Sequence, residues 1–497
     1  MNGSRSNTAT APLASPVVYR QRALSALNDF GRPSNKFSIT ILAFYIFLLV
    51  SRVLDLSPIW WLHLPLILLI VLFLAMLTRG DIRSAFSSKI THAFGLFTLW
   101  VVVCFPFSYW RSGSIGSVQT SVESFVVLLI VVSLVRTTDD WRKLAGGLAY
   151  ASVTAAVYSF FFARDAEGRL ALVGGTLADP NEFALTMIVS LPFLWLKASS
   201  VGTFKKLAYL LASVPVFVAV SRAGSRAGML ATAVLVTATF FFSNAARKLL
   251  IIGVAIIGIV AGAFFLPDYI KARYLTLFQP ASAQQLDAES ARQLSSDVAS
   301  SEGRQMLLRQ SIRMTFEHPL FGVGPGVFSF AAWDERKATT GVGGIAFVTH
   351  NTYTQISSET GFPGFLFFVA SLFLCMKYTF SDYRAMRHRD PETAKLSRYF
   401  FLAMCPLLVS IFFLSMGYTH FLALFISMAA ALHVAVRNRM ANPARQTSVG
   451  APAAAVAVPA KPSGPLPKSP PPRRIPSYLR SRGLRKETYS ENSQTRR

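Results

Sequence analysis

Apolar runs of about 17–22 residues recur along this chain, each long enough to cross a bilayer as a helix, and no other feature restricts its fold as strongly. Twelve can be placed, near residues 37–54, 58–77, 92–110, 118–135, 144–163, 182–197, 207–221, 226–243, 249–266, 362–379, 399–416 and 418–436. The expected fold is an all-α polytopic membrane protein of about 12 transmembrane helices, with one long, partly helical loop outside the membrane. Composition agrees: 52% of residues are hydrophobic, 15% are charged and the mean hydropathy is +0.44. A soluble chain of 497 residues would instead suggest two or three domains.

Charge supplies an independent check on the spans. With the N-terminus cytoplasmic and every span crossing, the cytoplasmic pieces hold 35 of the 49 Lys and Arg and 9 of the 24 Asp and Glu, a net of +26. The remainder carries 14 basic and 15 acidic residues, a net of −1, and the two parts make up the chain's +25. Such a bias is what the positive-inside rule expects, so the high isoelectric point reflects topology rather than nucleic-acid binding. Cys104, Cys375 and Cys405 all fall inside spans without a Cys-x-x-Cys spacing, and read as apolar packing residues.

Residues 1–36 are polar, with Arg20, Arg22, Arg32 and Lys36 and no apolar core, and read as a cytoplasmic tail followed by an uncleaved first anchor. The catalytic body is expected over 37–437. Between the ninth and tenth spans lies a loop at 267–360 that the charge bias places outside. Its first part, through Gly303, is polar and reads as mobile. From Arg304 to Phe316 a helical pattern sets Arg304, Leu308 and Ser311 on one face and Arg309 with Arg313 on another. Pro319 ends that helix, and Gly322-Val323-Gly324-Pro325-Gly326 forces an irregular turn. Residues 438–497 are rich in Pro and Ala and strongly basic, which suits a disordered cytoplasmic tail drawn to anionic lipid or to partner proteins.

Four polar features lie on the side expected to face outward. Arg222 and Arg226, in Ser-Arg-Ala-Gly-Ser-Arg-Ala-Gly, occupy a short connection on the side depleted of positive charge. They read either as interfacial snorkelling or as an anion site, because guanidinium groups hold phosphate oxygens bidentately and stay charged. Arg304, with Arg309 and Arg313 behind it, could be a solvated helix face or a second part of that site. His350-Asn351 precedes a helical stretch at Thr352–Thr360. A neutral imidazole there could accept a hydroxyl proton, while Asn351 could serve only as a helix cap. Asp179-Pro180-Asn181 at the mouth of the sixth span is a turn and cap signal, or else binds sugar hydroxyls or orders the arginines. The chain has no Asp-x-Asp, no His-Glu-x-x-His, no Gly-x-Ser-x-Gly and no P-loop. Metal-free, cofactor-free chemistry on a phosphorylated substrate fits what remains.

With these residues set out, the chain resembles the O-antigen ligases and O-antigen and exopolysaccharide polymerases. The resemblance is carried by HPLFGVGPGVF at 318–328, by HNTYTQISSETGFPGFL at 350–366 and by GSRAGML at 224–230. Ala227 departs from the commoner glycine of the Ser-Arg-Gly element, and the tail beyond about residue 440 lies outside the likeness. The resemblance implies a bacterial inner-membrane glycosyltransferase with both termini cytoplasmic and a periplasmic active site. Its donor would be an undecaprenyl-pyrophosphate-linked glycan and its acceptor a second glycan or lipid A–core. It further implies that Arg226 and Arg304 stabilise the leaving pyrophosphate and that His350 is the base; Arg222, Asn351, Asp179 and Asn181, neighbours of these residues, are expected to assist in substrate binding. Polysaccharide-export partners could engage the cytoplasmic tail. A polymerase is the expected activity, with a ligase as the alternative. A lipid-linked sugar transporter is more remote, because it would want ionisable residues deep in the spans, where Glu123 is the clear candidate.

Overall fold

The structure is a computed structural model, and it describes residues 35–57, 60–166, 169–172, 175–275, 288–340 and 346–441. The calls on the N-terminal tail to residue 34 and on the C-terminal tail from 442 lie outside these residues. Each of the twelve apolar windows falls on helix: α1 Lys36–Ser51, α2 Leu64–Arg79, α3 Lys89–Cys104, α4 Arg111–Leu134, α5 Thr138–Phe162 and α6 Pro180–Ala198, then α7 Thr203–Leu211 with α8 Ser213–Arg222 and α9 Arg226–Phe241. There follow α10 Ala245–Phe265, the loop helices α11 Asp268–Leu275, α12 Ala288–Glu317 and α13 Phe328–Thr340, and finally α14 Thr352–Met386, α15 Pro391–Ser410 and α16 His420–Ala441. Seven of the described helical segments are long and apolar enough to cross a membrane. The chain is an all-α polytopic membrane protein.

Local sequence explains where the helices begin. Thr137 and Asp140 form a reciprocal capping box ahead of α5, and Asn35, Asp179, Ser225, Asn244, Asn351 and Asp390 each cap the helix that follows. Such a cap satisfies an N–H that the first turn cannot pair internally. One large core then holds the bundle together. Almost every residue of α6 is buried, and Trp141 on α5 packs edge-on to Phe400 while its indole N–H donates to the Met428 carbonyl 3.0 Å away. By contrast α10, apolar from Leu249 to its end, has no buried residue. A helix apolar on every side can lie at the rim of a bundle only where lipid is the neighbour.

Hydrogen bonds mark two ends of this bundle. At one end Asp81 N–H donates to Ser133 O, Arg136 to Arg79 O, Asn438 to Arg136 O and Arg439 to Asp390. At the other, Tyr109 N–H donates to Val323 O, Arg169 to Ala223 O and Thr352 N–H to Ile411 O. Connections that the alternating spans assign to one side are thus joined to one another. The loop end carries a small core of its own, in which Leu307 and Met314 of α12 meet Val323, Val327, Phe328, Ala331 and Ala332.

Three local features depart from the sequence expectation. The connection after α5 holds an antiparallel hairpin, β1 Ala163–Ala166 with β2 Arg169–Leu172, whose alternation is too short to outweigh the helical signals around it. The segment read as mobile before Gly303 is helical from Ala288 onward, in one piece with the helix foreseen from Arg304. Ionisable groups within the helices also extend beyond Glu123, which is itself only partly buried. Glu359 and Asp382 are both buried on α14, which reaches past the apolar window at either end, and Asp382 pairs with His433 of α16 at 3.0 Å.

Candidate active site

The turn Ser221–Ser225 between α8 and α9 is the first part of the site. Gly224 takes a left-handed φ of 57°, and Ser225 caps α9 by accepting from Gly228 N–H at 3.0 Å. Two arginines outside this turn grip it from opposite elements. Arg169 on β2 donates from Nε to the Ala223 carbonyl at 3.0 Å, and Arg273 on α11 donates from Nε to the Gly224 carbonyl at 2.7 Å. Tyr274 donates its hydroxyl to Ser221 O at 3.0 Å. Burial pushes that phenol up to about 12 against the pull of Arg169 and Arg273, so it remains a donor at any physiological pH.

The mouth of α6 closes the second side. Asp179 is the N-cap, its Oδ1 accepting from Asn181 N–H at 2.7 Å and Glu182 N–H at 3.1 Å, which is the capping role open to it in the sequence. Asn181 orders its surroundings. Its Oδ1 accepts both from Arg169 at 3.0 Å and from the Ser225 hydroxyl at 2.8 Å, tying the heads of α6 and α9 together. Arg226 opens α9 half-buried beside this junction, whereas Arg222 ends α8 with its side chain exposed.

His350 forms the third side. Among the described residues it is one of three non-glycine residues with a left-handed backbone, φ 50°. Such a conformation persists only where neighbours over-determine it. Here Thr349 and Asn351 on either side are buried, and Asn351 Oδ1 caps α14 by accepting from Tyr353 N–H at 2.9 Å and Thr354 N–H at 3.2 Å. Thr352 is pinned to the α15–α16 connection through Ile411 O at 2.9 Å and Leu414 O at 2.6 Å. His350 thereby stands at the head of a helix whose first turn is tied to that connection. Burial lowers its pKa from the ordinary value, Arg304 lowers it further, and Asp179 opposes them. Those influences place Arg304 of α12 and Asp179 of α6 within electrostatic reach of His350.

Of the residues singled out in the sequence, His350, Arg304 and Asp179 therefore converge, and Asn181 joins them to the turn that carries Arg226. Asn351 serves as a cap. Arg309 and Arg313 are exposed on α12, and Arg313 pairs with Glu335 of α13 and Glu317 of its own helix, so its charge is structural. Two contributors escaped the sequence reading. Arg169 follows a Glu-Gly pair between short alternating runs, which is a hairpin signal, and Arg273 sits in a basic, aromatic turn after Pro267. Neither position announces its target, which lies 54 or 49 residues away.

The loop is seated on the bundle by Glu359. Its Oε2 accepts from Gly326 N–H at 3.0 Å and its Oε1 from Phe328 N–H at 3.2 Å. Backbone bonds run beside it, from Val323 N–H to Ser358 O at 2.8 Å and from Gly324 N–H to Glu359 O at 3.1 Å. Gly322, Gly324 and Gly326 all take positive φ to follow this path. Among the described residues no three His, Cys, Asp or Glu side chains gather as metal ligands would.

Three helix heads, those of α6, α9 and α14, thus contribute to one region together with Arg226, Arg304 and a base-form imidazole. Helix N-termini and guanidinium groups both favour anions, and the imidazole can accept a proton next to them. No curated protein matches the chain. Residues 211–369 match the family model described as O-antigen ligase, a stretch that contains Arg222, Arg226, Arg304, His350 and Glu359. Over that segment the chain is similar to the O-antigen ligase family.

Proposed function

We propose that this protein transfers a glycan from undecaprenyl pyrophosphate to an acceptor hydroxyl at the periplasmic face of the bacterial inner membrane, without a metal, extending an exopolysaccharide or O-antigen. The match of residues 211–369 to the O-antigen ligase model supports the general activity, a glycan transfer of the O-antigen ligase or polymerase type. The finer reading rests on one arrangement, in which Arg304 and Asp179 act electrostatically on His350 at the head of α14 while Asn181, beside Asp179, is tied to the turn that carries Arg226.

The chemistry follows from that arrangement. The acceptor oxygen attacks the anomeric carbon as the bond from that carbon to the pyrophosphate oxygen breaks, with inversion. His350 takes the acceptor proton, and its depressed pKa keeps it in the base form at neutral pH. Negative charge grows on the departing pyrophosphate, and Arg226 and Arg304, with the helix heads beside them, stabilise it. Fixed cations do here what a bound divalent ion does elsewhere. Asn181 and Asp179 hold the arginine-bearing turn and the α6 mouth in register rather than binding sugar directly.

The acceptor we propose is a second lipid-linked repeat unit. In vesicles holding the purified protein and lipid-linked repeat units, the wild type should make longer chains, and His350→Ala, Arg226→Ala and Arg304→Ala should each lose at least ~100-fold of that rate, on the scale of a lost general base or charge stabiliser. Wild-type turnover by His350→Ala would overturn the base assignment. In cells lacking the protein, single repeat units should accumulate on the carrier. Long chains stranded there would instead mark a ligase.

A further inference from the structure

We infer that the end of α12 and the turn after it form a foot in the lipid leaflet at the loop end of the bundle, with Ile312, Phe316 and Leu320 against acyl chains and Arg309 among the headgroups. The sequence places these side chains together. Arg309, Ile312 and Phe316 follow one another at intervals of three and four, so they share one stripe of the helix, and Leu320 extends it past the helix end at Glu317. The opposite stripe is already used: Leu307 and Met314 enter the small loop core, and Ser311 and Thr315 are buried. Phe316 is nevertheless 68% exposed and Leu320 59%. Apolar side chains of that size, gathered on the outer face of a loop helix, mark a surface that meets a partner rather than water.

The neighbouring surface indicates which partner. Phe362 opens the apolar run of α14; its N–H donates to the Pro319 carbonyl at 2.8 Å, and its ring meets that of Phe316 edge-on with centroids 5.5 Å apart. Beside this contact the Thr315 and Ser357 hydroxyls are hydrogen-bonded at 2.9 Å. The end of α12 thus rests directly on the first turn of a membrane span. Further along α14, Leu366 and Phe373 carry on the exposed apolar row, Leu366 at 64%. To the other side Phe321 stacks on Phe107 at 4.1 Å, itself exposed beyond the end of α3. Ile312, Phe316 and Leu320 therefore prolong the lipid-facing surface of α14.

A bilayer fits such a surface better than a second copy of the chain, because α14 already presents to lipid the row that the foot prolongs. Charge agrees. Arg309 is exposed about two turns before Phe316, where a long cationic side chain can reach lipid phosphates while its methylenes lie along apolar neighbours. Amphipathic elements of this kind sit with their apolar side about 5–10 Å into the boundary between headgroups and acyl chains. The loop is then footed in the membrane instead of standing clear of it. One consequence rests on the transfer reading: the loop shares the headgroup layer in which the diphosphate of a lipid-linked donor lies.

The test uses the full chain in nanodiscs of phosphatidylcholine with phosphatidylglycerol, its 3 cysteines replaced. A nitroxide is attached singly at Arg309→Cys, Ile312→Cys, Phe316→Cys, Glu317→Cys or Leu320→Cys. Collisions with oxygen, which concentrates in lipid, are compared with collisions with a water-soluble nickel chelate. Labels at Phe316 and Leu320 should favour oxygen, the label at Glu317 on the next face should favour the chelate, and Arg309 should fall between them. Ile312→Cys lies one turn away from the Phe362 contact and carries the same expectation as Phe316→Cys where that variant folds poorly. A preference for the chelate at Phe316 and Leu320 would overturn the inference in favour of water. Spin–spin broadening that disappears on dilution with unlabelled chain would overturn it in favour of a second copy. Neither donor nor acceptor enters the measurement, so failure of the transfer reading would leave the result standing, and loss of the foot would leave the transfer reading untouched.

Discussion

His350 shows how much of an active site depends on the surroundings of a single residue. Its ring is depressed by burial and by Arg304, so the deprotonated form that a general base needs is already present at neutral pH. The sign can be followed through. Transfer is lost as pH falls through the pKa of the folded protein, and because that pKa lies below the ordinary imidazole value, the acid limb should lie on the acid side of it. Arg304→Gln removes a repulsion, raises the pKa and should move the limb of the residual rate to higher pH, as kcat/KM measured across pH would reveal. A limb that stays in place would mean that Arg304 does not face the ring. The His-Asn pair was legible in the sequence, but the left-handed backbone at His350 and the electrostatic balance around it were not. The first comes with Thr349 and Thr352 being fastened to a connection about 60 residues further on, the second from burial, Arg304 and Asp179.

Among the elements, α14 is the one on which most of the site depends. The reading of a helical stretch to Thr360 followed by a span from 362 is what the structure contains, and Gly361, with φ 67°, is the break between them. A Cβ at Gly361 would come within 2.3 Å of the Leu320 carbonyl oxygen, and the residue's φ would be strained as well. Gly361→Ala should therefore destabilise the protein by several kcal/mol, at or beyond the roughly 4 kcal/mol that marks an exceptional substitution, seen as loss of extractable protein. A Cβ at Gly364 would meet Thr360 Oγ1 at 2.1 Å, Thr360 Cβ at 2.6 Å and Trp100 Cδ1 at 2.9 Å, and rotation of Thr360 would relieve only the first.

The junction of α6, α9 and the hairpin makes a different forecast. Asn181→Ala removes the common acceptor of Arg169 and Ser225 and leaves the helices intact. Transfer should fall about 10- to 100-fold, as expected of one lost charged hydrogen bond, with normal membrane insertion. Unchanged turnover would show that the Arg226 turn holds its place without Asn181. Asp179-Pro180-Asn181 was recognisable as a turn and cap, since those residue types act locally. Arg169 and Arg273 were not recognisable as its partners, because one stands on a hairpin and the other on a short helix well separated from the turn in sequence.

For the whole molecule the remaining claim is orientation. The two ends of the bundle are distinguished by their hydrogen bonds, and the proposed topology assigns the loop end to the periplasm. Cysteine placed singly at Glu317 or His318, both exposed, should react with a membrane-impermeant maleimide in intact, outer-membrane-permeabilised cells, whereas one at Ser200 should react only after lysis. The native cysteines offer little background, with Cys104 and Cys375 buried and Cys405 partly so. The opposite labelling pattern would invert the topology and move the site to the cytoplasm.

The sequence by itself determined the membrane helices, their caps, the glycine turn, the charge bias and the motifs that carry the family likeness. Each of these is written within one element, where periodicity, local side-chain bonds and backbone preference act over a few residues. Only the tertiary structure decided that Arg304 and Asp179 face His350, that Asn181 is shared by Arg169 and Ser225, and that Glu359 fastens the loop. Convergence of that kind depends on how separate helices pack and where their connections return, and no short stretch of chain contains that information.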